Sequence, residues 1–226
     1  MRYAVFHTPA PGPLAQFTAA WLGWDPVAGH EVAHPDLPGI DVAALTRSAR
    51  RYGFHATLKA PFHLAQGRSQ TELRTALRAI AARSAPVALS RLELTQEFGF
   101  VALRPPANDP ALSALGALET ALVTRLDPFR APLNETELAR RRRAPLTPRQ
   151  EEYLTEHGYP YVREEFRMHF TLTGRISLDE GTALIERLRP LIRPLLAEPY
   201  VIDSLTLLQQ DAAGRFHQHQ RYPLSG

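Results

Sequence analysis

Apolar residues recur at every third or fourth position in four stretches, which predicts amphipathic helices over residues 14–24, 69–83, 109–126 and 178–192. Shorter stretches alternate or run apolar between turn residues, and they predict β-strands over residues 2–7, 54–62, 86–96, 98–104, 167–175, 200–209 and 215–221. Several of these strands follow one another as hairpins. The order therefore favours an α+β fold with antiparallel sheets over a doubly wound parallel sheet.

Helix starts are marked by residues that cap free backbone N–H groups. Ser69 and Glu72 form the S-x-x-E pattern of a capping box. Asn134 with Glu137, and Thr147 before a proline, give two further start signals. These two signals predict short helices in a part of the chain that is otherwise polar.

That polar part, at about residues 127–166, is expected to be a surface insertion. The remaining elements can share one core, so we expect a single domain over residues 1–226. Residues 8–39 are rich in Pro and Gly, and they predict one helix and nothing further.

The chain resembles itself over a long distance. Both halves are predicted to run strand, helix, strand, strand, and the third elements, 86–96 and 199–209, share a proline, two leucines and a glutamine. The first strands match more specifically, because residues 54–58 and 168–172 both read apolar–His–x–Thr–Leu. Two copies of this string in matched positions indicate an internal repeat with one histidine in each half.

Residues i and i+2 of a strand face the same side. His55, Thr57 and Lys59 are therefore expected on one face of the first strand, and His169 and Thr171 on one face of the second. If the halves pack about a pseudo-two-fold axis, these faces line a common cleft.

Such a cleft is suited to opening a phosphodiester. One imidazole can take a proton from water while the other gives a proton to the leaving oxygen. Two threonine hydroxyls can hold the phosphate oxygens, and an ammonium can stabilise the growing negative charge. The residues require no metal and no other cofactor, and they include no convincing carboxylate cluster for a metal.

The motifs His55-x-Thr57 and His169-x-Thr171 resemble those of the two-histidine (2H) phosphoesterase superfamily. Longer strings at residues 52–62, 126–132 and 158–162 look like a bacterial branch associated with phosphonate metabolism. The resemblance implies a bilobal α+β fold, with two pseudo-symmetric antiparallel sheets and flanking helices around a central cleft.

The resemblance also implies an activity, which is metal-independent hydrolysis of a cyclic phosphodiester. The implied substrate is a cyclic phosphate of a phosphorylated ribose, formed during phosphonate catabolism. The motifs are symmetric, so the sequence does not decide which histidine is the acid and which is the base.

Three further residues are candidates for substrate binding. Arg143, in a run of four arginines, could reach a second phosphate, and Tyr161 and Tyr3 could contact the substrate. His217 and His219 have the spacing of a metal-ligand pair, but a polar strand face is the favoured interpretation.

The composition narrows the classes of protein. The 226 residues are 44% hydrophobic and 22% charged, with a formal net charge of +3 and no cysteine. Thiol chemistry, disulfides and zinc–thiolate sites are therefore excluded. No apolar run is long enough to span a membrane and no signal peptide is recognisable, so a cytoplasmic protein is the simplest expectation.

Three alternatives stay open. One is a cyclic phosphodiesterase that acts on RNA ends or oligonucleotides, although the small net charge is weak support for nucleic acid. Another is a protein that binds a phosphorylated ligand without turning it over. The third is a histidine-based metal protein.

Overall fold

The computed structural model describes residues 1–226, which form nine strands and seven α-helices. The strands are β1 (Tyr3–His7), β2 (Ala56–Phe62), β3 (Val87–Leu89), β4 (Glu93–Glu97), β5 (Phe100–Arg104), β6 (Phe170–Thr171), β7 (Tyr200–Ile202), β8 (Ser204–Gln210) and β9 (Phe216–Pro223). The helices are α1 (Pro13–Leu22), α2 (Val42–Thr46), α3 (Gln70–Ala81), α4 (Leu112–Arg125), α5 (Glu135–Arg141), α6 (Pro148–His157) and α7 (Leu178–Ile192).

Seven strands form one sheet in the order β4-β5-β6-β2-β1-β8-β9, and β3 and β7 form a second sheet of two strands. All of the pairs are antiparallel. The predicted α+β class with antiparallel sheets and flanking helices is confirmed. In the middle of the large sheet, β6 of the second half lies between β5 and β2 of the first half and pairs with both.

The internal repeat is visible in the strand pairing. Ala56 pairs with Phe170 in the large sheet, and Ala88 pairs with Val201 in the small sheet. In the alignment of the repeats these are equivalent residues, so both sheets cross the pseudo-two-fold axis that relates the halves.

Each predicted third element is broken into two strands. The first forms β3 and β4, which belong to different sheets, and the second forms β7 and β8. In the first copy the break occurs at Ser90, whose backbone N and Oγ both donate to Asp109 Oδ2, at 2.8 and 2.6 Å. Because the backbone N–H of Ser90 binds this carboxylate, it does not pair with a neighbouring strand. The predicted strand is therefore divided between the two sheets.

The core lies between the large sheet and the helices. Helix α3 contributes Leu73, Leu77 and Ile80 to it, as the periodicity predicts. The predicted capping box is present, because Glu72 N donates to Ser69 Oγ and Ser69 N donates to Glu72 Oε2. Capping of this kind stabilises the first turn of a helix by about 1 kcal/mol.

Strand β6 is shorter than the predicted strand over residues 167–175. Beyond Thr171 the chain still follows β5, but the contacts change in kind. Leu172 N donates to Val101 O at 2.9 Å, and Thr173 Oγ1 accepts from Val101 N at 2.9 Å. A side-chain hydroxyl thus replaces the backbone carbonyl that a regular ladder would supply.

Residues 127–166 contain α5 and α6, whose predicted N-caps are both present. Asn134 Oδ1 accepts from Glu137 N, and Thr147 Oγ1 accepts from Gln150 N. Residues 8–39 contain α1 and no other helix, as predicted. None of the helices combines the length and the apolar composition that crossing a membrane requires.

Candidate active site

The two His-x-Thr motifs lie on adjacent antiparallel strands. Because Ala56 pairs with Phe170, the same register sets Thr57 opposite His169 and His55 opposite Thr171. Residues directly opposite one another on antiparallel strands have Cβ atoms about 5 Å apart. The four side chains therefore lie at the corners of a compact square. A pseudo-two-fold axis through the Ala56–Phe170 pair exchanges the two histidines with each other and the two threonines with each other.

The alternate residues of these strands explain why each motif is flanked by apolar residues. Ala56 and Phe170 are fully buried beneath the square, and Leu58 and Leu172 are 1% exposed. Because side chains alternate along a strand, burying these residues directs the histidines and threonines to the opposite face. The hydrophobic core therefore fixes the register on which the site depends.

Both histidines are held in the same way. His55 Nδ1 lies 2.9 Å from Gly53 O, and His169 Nδ1 lies 2.8 Å from Arg167 O. A carbonyl oxygen only accepts, so Nδ1 carries the proton in both neutral rings. Each Nε2 is then an unprotonated base, and neither Nε2 has a hydrogen-bond partner within the protein.

Burial disfavours the charged form of both rings. It lowers the pKa of His55 from 6.5 to about 4, although the bond to Gly53 O partly offsets this, and the neighbouring His169 lowers it further. Burial also lowers the pKa of His169. Both imidazoles are thus neutral at neutral pH in the free protein. An anion between them would favour protonation of one ring.

A cleft of about 510 Å³ opens above the square and is lined by all four motif residues. A second pocket of about 470 Å³ adjoins it and shares Thr57 and His169. These volumes are in the range of sites that bind small molecules. Aromatic rings flank both histidines, since Phe6 stacks on His55 with ring centroids 3.9 Å apart and Phe100 lies 5.4 Å from His169.

The first cleft is strongly basic. Its lining contains no carboxylate and five arginines, which are Arg2, Arg51, Arg140, Arg141 and Arg175. None of the five forms a salt bridge within the protein. The whole chain has a net charge of only +3, so positive charge is concentrated at this opening. Such a cleft attracts anions.

Lys59 does not reach the cleft, contrary to the expectation that it shares a face with His55 and Thr57. Val5 pairs with Lys59 and Phe6 with Thr57, so β2 carries one extra residue there. This β-bulge interrupts the alternation of side chains. Lys59 Nζ points instead towards α4 and donates to Val123 O at 3.0 Å.

Tyr3 and Arg143 also lie away from the cleft. Tyr3 is 7% exposed and belongs to the main hydrophobic core, because it faces the core side of β1. Arg143 lies beyond the last turn of α5 and is exposed, whereas Arg140 and Arg141 line the cleft. Helical geometry turns successive residues by about 100°, so only part of an arginine run can face one site.

Tyr161 lies where a substrate contact is predicted. It is 42% exposed and lines both the cleft and the second pocket.

His217 is not placed as a metal ligand. Its ring is hydrogen-bonded to Asp211 Oδ2 at 2.8 Å and packs edge-on against Trp24. No three His, Asp or Glu side chains lie close enough together to hold a metal ion.

Sequence reasoning missed several residues that line the cleft, namely Arg2, Arg51, Tyr52, Phe100 and Tyr159. They come from separate elements. Tyr52 and Tyr159 lie within the strings 52–62 and 158–162, but no local pattern marks any of the five as a cleft residue. The arginine run of α5 was recognised as a candidate, but Arg140 and Arg141 line the cleft rather than Arg143.

Comparison with known proteins places the chain in a family. A family model described as "Protein of unknown function (DUF1045)" matches residues 57–217. The chain belongs to this family. The matched region contains Thr57 and the whole second motif, together with the segment 127–166. The family description names no activity, so it assigns none to this site.

Two curated relatives carry the name "Ribose 1,5-bisphosphate phosphokinase PhnN". The protein from Janthinobacterium sp. (strain Marseille) is 38% identical over 234 residues, which are 100% of this chain and 51% of that protein. The protein from Laribacter hongkongensis (strain HLHK9) is 35% identical over 215 residues, 95% of this chain and 49% of that protein. The chain spans about half the length of these relatives.

Among solved structures, E. coli LigT in apo form is similar over 100% of this chain and 98% of its own, with a TM-score of 0.43 and 15% identity. LigT complexed with 3'-AMP gives a TM-score of 0.40 and 16% identity, covering 100% and 98%. A structure described as a phosphoesterase gives 0.39 and 13%, covering 100% and 99%. These are distant likenesses, and the assignment of a function depends on the cleft itself.

Proposed function

We propose that this protein is a metal-independent cyclic phosphodiesterase of the 2H type, in which His55 and His169 act as general acid and general base. The observation that carries the proposal is the register of β2 and β6. It sets two His-x-Thr motifs face to face, and each histidine presents a free Nε2 to a basic cleft.

The proposed reaction is in-line attack of water on the cyclic phosphate. One Nε2 takes a proton from water as the new P–O bond forms. The opposite imidazolium gives its proton to the ring oxygen as the old P–O bond breaks, so protons and charge balance. Thr57 and Thr171 donate to the non-bridging oxygens, which become more negative in the transition state.

The finer proposal concerns the substrate. Hydrolysis of the 1,2-cyclic phosphate of ribose 5-phosphate, with cleavage of the bond to O2, gives ribose 1,5-bisphosphate. This compound appears in the name of the two curated relatives. If this chain produces ribose 1,5-bisphosphate, it supplies the compound that those proteins are named for phosphorylating. In that case it has a role in phosphonate catabolism.

Phosphoryl transfer itself is not assigned to this chain. The P-loop of many nucleotide-dependent kinases requires Lys after Gly. The single lysine here is Lys59, which follows Leu58 and is buried against α4. The ring-opening step is therefore the one that the residues of this chain support.

One observation favours a second candidate, a phosphodiesterase that acts on RNA ends or oligonucleotides. Phe98, Phe100 and Tyr161 line the second pocket beside His169, and Phe98 is 55% exposed. Exposed aromatic rings can stack on unpaired bases. The first cleft is also lined by no carboxylate that would repel the phosphates of a nucleic-acid backbone.

The test is phosphorus NMR of the purified protein in EDTA with three cyclic phosphates. These are ribose 1,2-cyclic phosphate 5-phosphate, a nucleoside 2',3'-cyclic phosphate and an RNA end that carries one. His55→Ala and His169→Ala are compared with His30→Ala, which removes an exposed histidine outside the cleft.

We expect the sugar phosphate to be opened, and each motif variant to lose this activity while His30→Ala retains it. Opening of the RNA end alone would favour the second candidate. Binding of a cyclic phosphate by folded wild-type protein without turnover would support the non-catalytic alternative. Activity that is lost in EDTA and restored by a metal would refute the proposed mechanism.

A further inference from the structure

Four arginines from three separate elements converge on the His55 side of the cleft. Arg2 precedes β1, Arg51 lies in the 3-10 turn before β2, and Arg140 and Arg141 end α5. We refer to these four residues as the arginine cluster. The three elements that supply them are far apart in the sequence, so their convergence is a property of the fold.

The arginine cluster lacks the partners that other arginines of this protein have. Arg142, next in the chain, pairs with Glu151, and Arg130 pairs with Asp127 at 3.0 Å. Glu137 is a carboxylate close enough to Arg2 to interact with its charge, but it forms no salt bridge with the cluster. Its oxygens face other groups: Oε2 lies 3.4 Å from the backbone N of Asn134, and Oε1 lies 3.8 Å from the ring of His63.

Three of the four guanidinium groups are positioned by neutral side chains. Arg51 lies over the ring of Tyr52, 4.7 Å from its centroid, and Arg141 lies over Tyr159 at 4.6 Å. Arg2 Nε donates to Gln210 Oε1 at 2.8 Å. Stacking holds the plane of a guanidinium while leaving its N–H edges free to bind an anion.

One donor in the arginine cluster is already buried and unused. Arg141 Nε is shielded from solvent and has no hydrogen-bond partner. A buried charged donor without a partner is costly, and the neighbouring Arg140 and Arg2 add repulsion between like charges. The arrangement is therefore incomplete without an anion.

We infer that the arginine cluster is a subsite for a phosphate monoester carried by the substrate at a distance from the cyclic phosphate. This inference rests on the proposed function and assigns the residues that bind the second phosphate of its substrate. A terminal phosphate carries close to two negative charges near neutral pH, and planar forks bind its oxygens in pairs. An internal phosphodiester of RNA carries only one.

The subsite also makes the symmetric catalytic pair asymmetric. Within the arginine cluster, Arg51 lies over Tyr52, whose ring centroid is 5.7 Å from that of His55. The second pocket reaches His169 but not His55, and its lining includes Phe98, Phe100 and Phe166. A substrate with a terminal phosphate is thus bound in one direction, with that phosphate on the His55 side. Segment 127–166, which supplies Arg140 and Arg141, selects the substrate in this scheme.

The test compares ribose 1,2-cyclic phosphate with and without the 5-phosphate, using wild type, Arg51→Ala, Arg141→Ala and the control Arg142→Ala. Arg142 belongs to the same run but is exposed and paired with Glu151. We expect each cluster variant to lower kcat/KM about tenfold or more for the 5-phosphate substrate only, since charge-assisted hydrogen bonds are lost. Arg142→Ala should behave as wild type.

Equal kcat/KM of wild type for both substrates would overturn the subsite and leave the proposed function intact. If neither substrate is turned over, the proposed function fails, and calorimetric binding of ribose 5-phosphate then decides the subsite. Binding that weakens about tenfold or more in Arg141→Ala, but not in Arg142→Ala, would support the subsite. Equal binding by the three proteins would overturn it.

Discussion

Lys59 provides a direct test of the packing beneath the cleft. It is the single lysine of the chain, its side chain is 4% exposed, and its ammonium donates to the last turn of α4 through Val123 O. Burial lowers the pKa of Lys59 from 10.5 to about 8, although Asp127, with Oδ1 3.8 Å away, partly offsets this effect. The perturbation is Lys59→Met, which keeps the length of the side chain and removes its charge.

The expected magnitude follows from proton linkage. Between pH 8 and 10.5 the unfolded chain holds the proton of Lys59 while the folded protein releases it. The free energy of unfolding therefore rises with pH in this window, by about 3 kcal/mol in total at about 1.4 kcal/mol for each pH unit of difference in pKa. The contribution is fully present above pH 10.5 and is lost as the pH falls through 8.

Two measurements test this prediction. With carbon-13 at the lysine ε position, the protein gives one signal, and its titration midpoint should lie near pH 8. Urea unfolding of wild type and Lys59→Met across the same pH range should show the rise in wild type only. Tyrosines titrate in the same pH range in both proteins. Subtracting the free energy of unfolding of Lys59→Met from that of wild type at each pH removes their contribution. A midpoint near 10.5, or equal slopes in both proteins, would refute the buried position.

The remaining predictions concern the proposed catalytic pair and the β4–β5 turn. His55→Ala and His169→Ala should each lower kcat about 10²- to 10⁴-fold. The double variant should lose little more, because both groups act in one step, and multiplicative losses in single-turnover assays would contradict this. Because the pKa of His55 is lowered to about 4, wild type should lose stability as the pH falls from 6.5 to 4, and unfolding of His55→Ala should show a smaller slope. Phe98 has a φ of 59° in the two-residue turn with Gly99, so Phe98→Asn should raise the free energy of unfolding by about 1 kcal/mol. No gain in urea denaturation would show that the aromatic ring compensates for its backbone conformation.

Part of the fold was predictable because it depends on local chemistry. The capping box at Ser69 and Glu72 and the bounds of α7 follow from residues close together in the chain. The strands over residues 86–96 and 167–175 were less predictable. Their breaks depend on residues elsewhere in the fold, because Asp109 accepts from Ser90 in the first segment and Val101 N donates to Thr173 Oγ1 in the second.

The sequence by itself determined which side chains form the centre of the candidate site. Two copies of His-x-Thr, each flanked by residues that must be buried, place His55, Thr57, His169 and Thr171 on polar faces, because side chains alternate along a strand. This periodicity is a local property of the backbone, and it needs no knowledge of the partner strand.

Only the tertiary structure decided what surrounds that centre. One extra residue in β2, opposite the step from Val5 to Phe6, turns Lys59 away from the cleft, and pairing with β1 creates this bulge. The convergence of Arg2, Arg51 and Arg141 on one cleft likewise depends on how distant parts of the chain fold together. Residues far apart in the sequence carry no mark of being neighbours, so their shared role emerges only when the chain is folded.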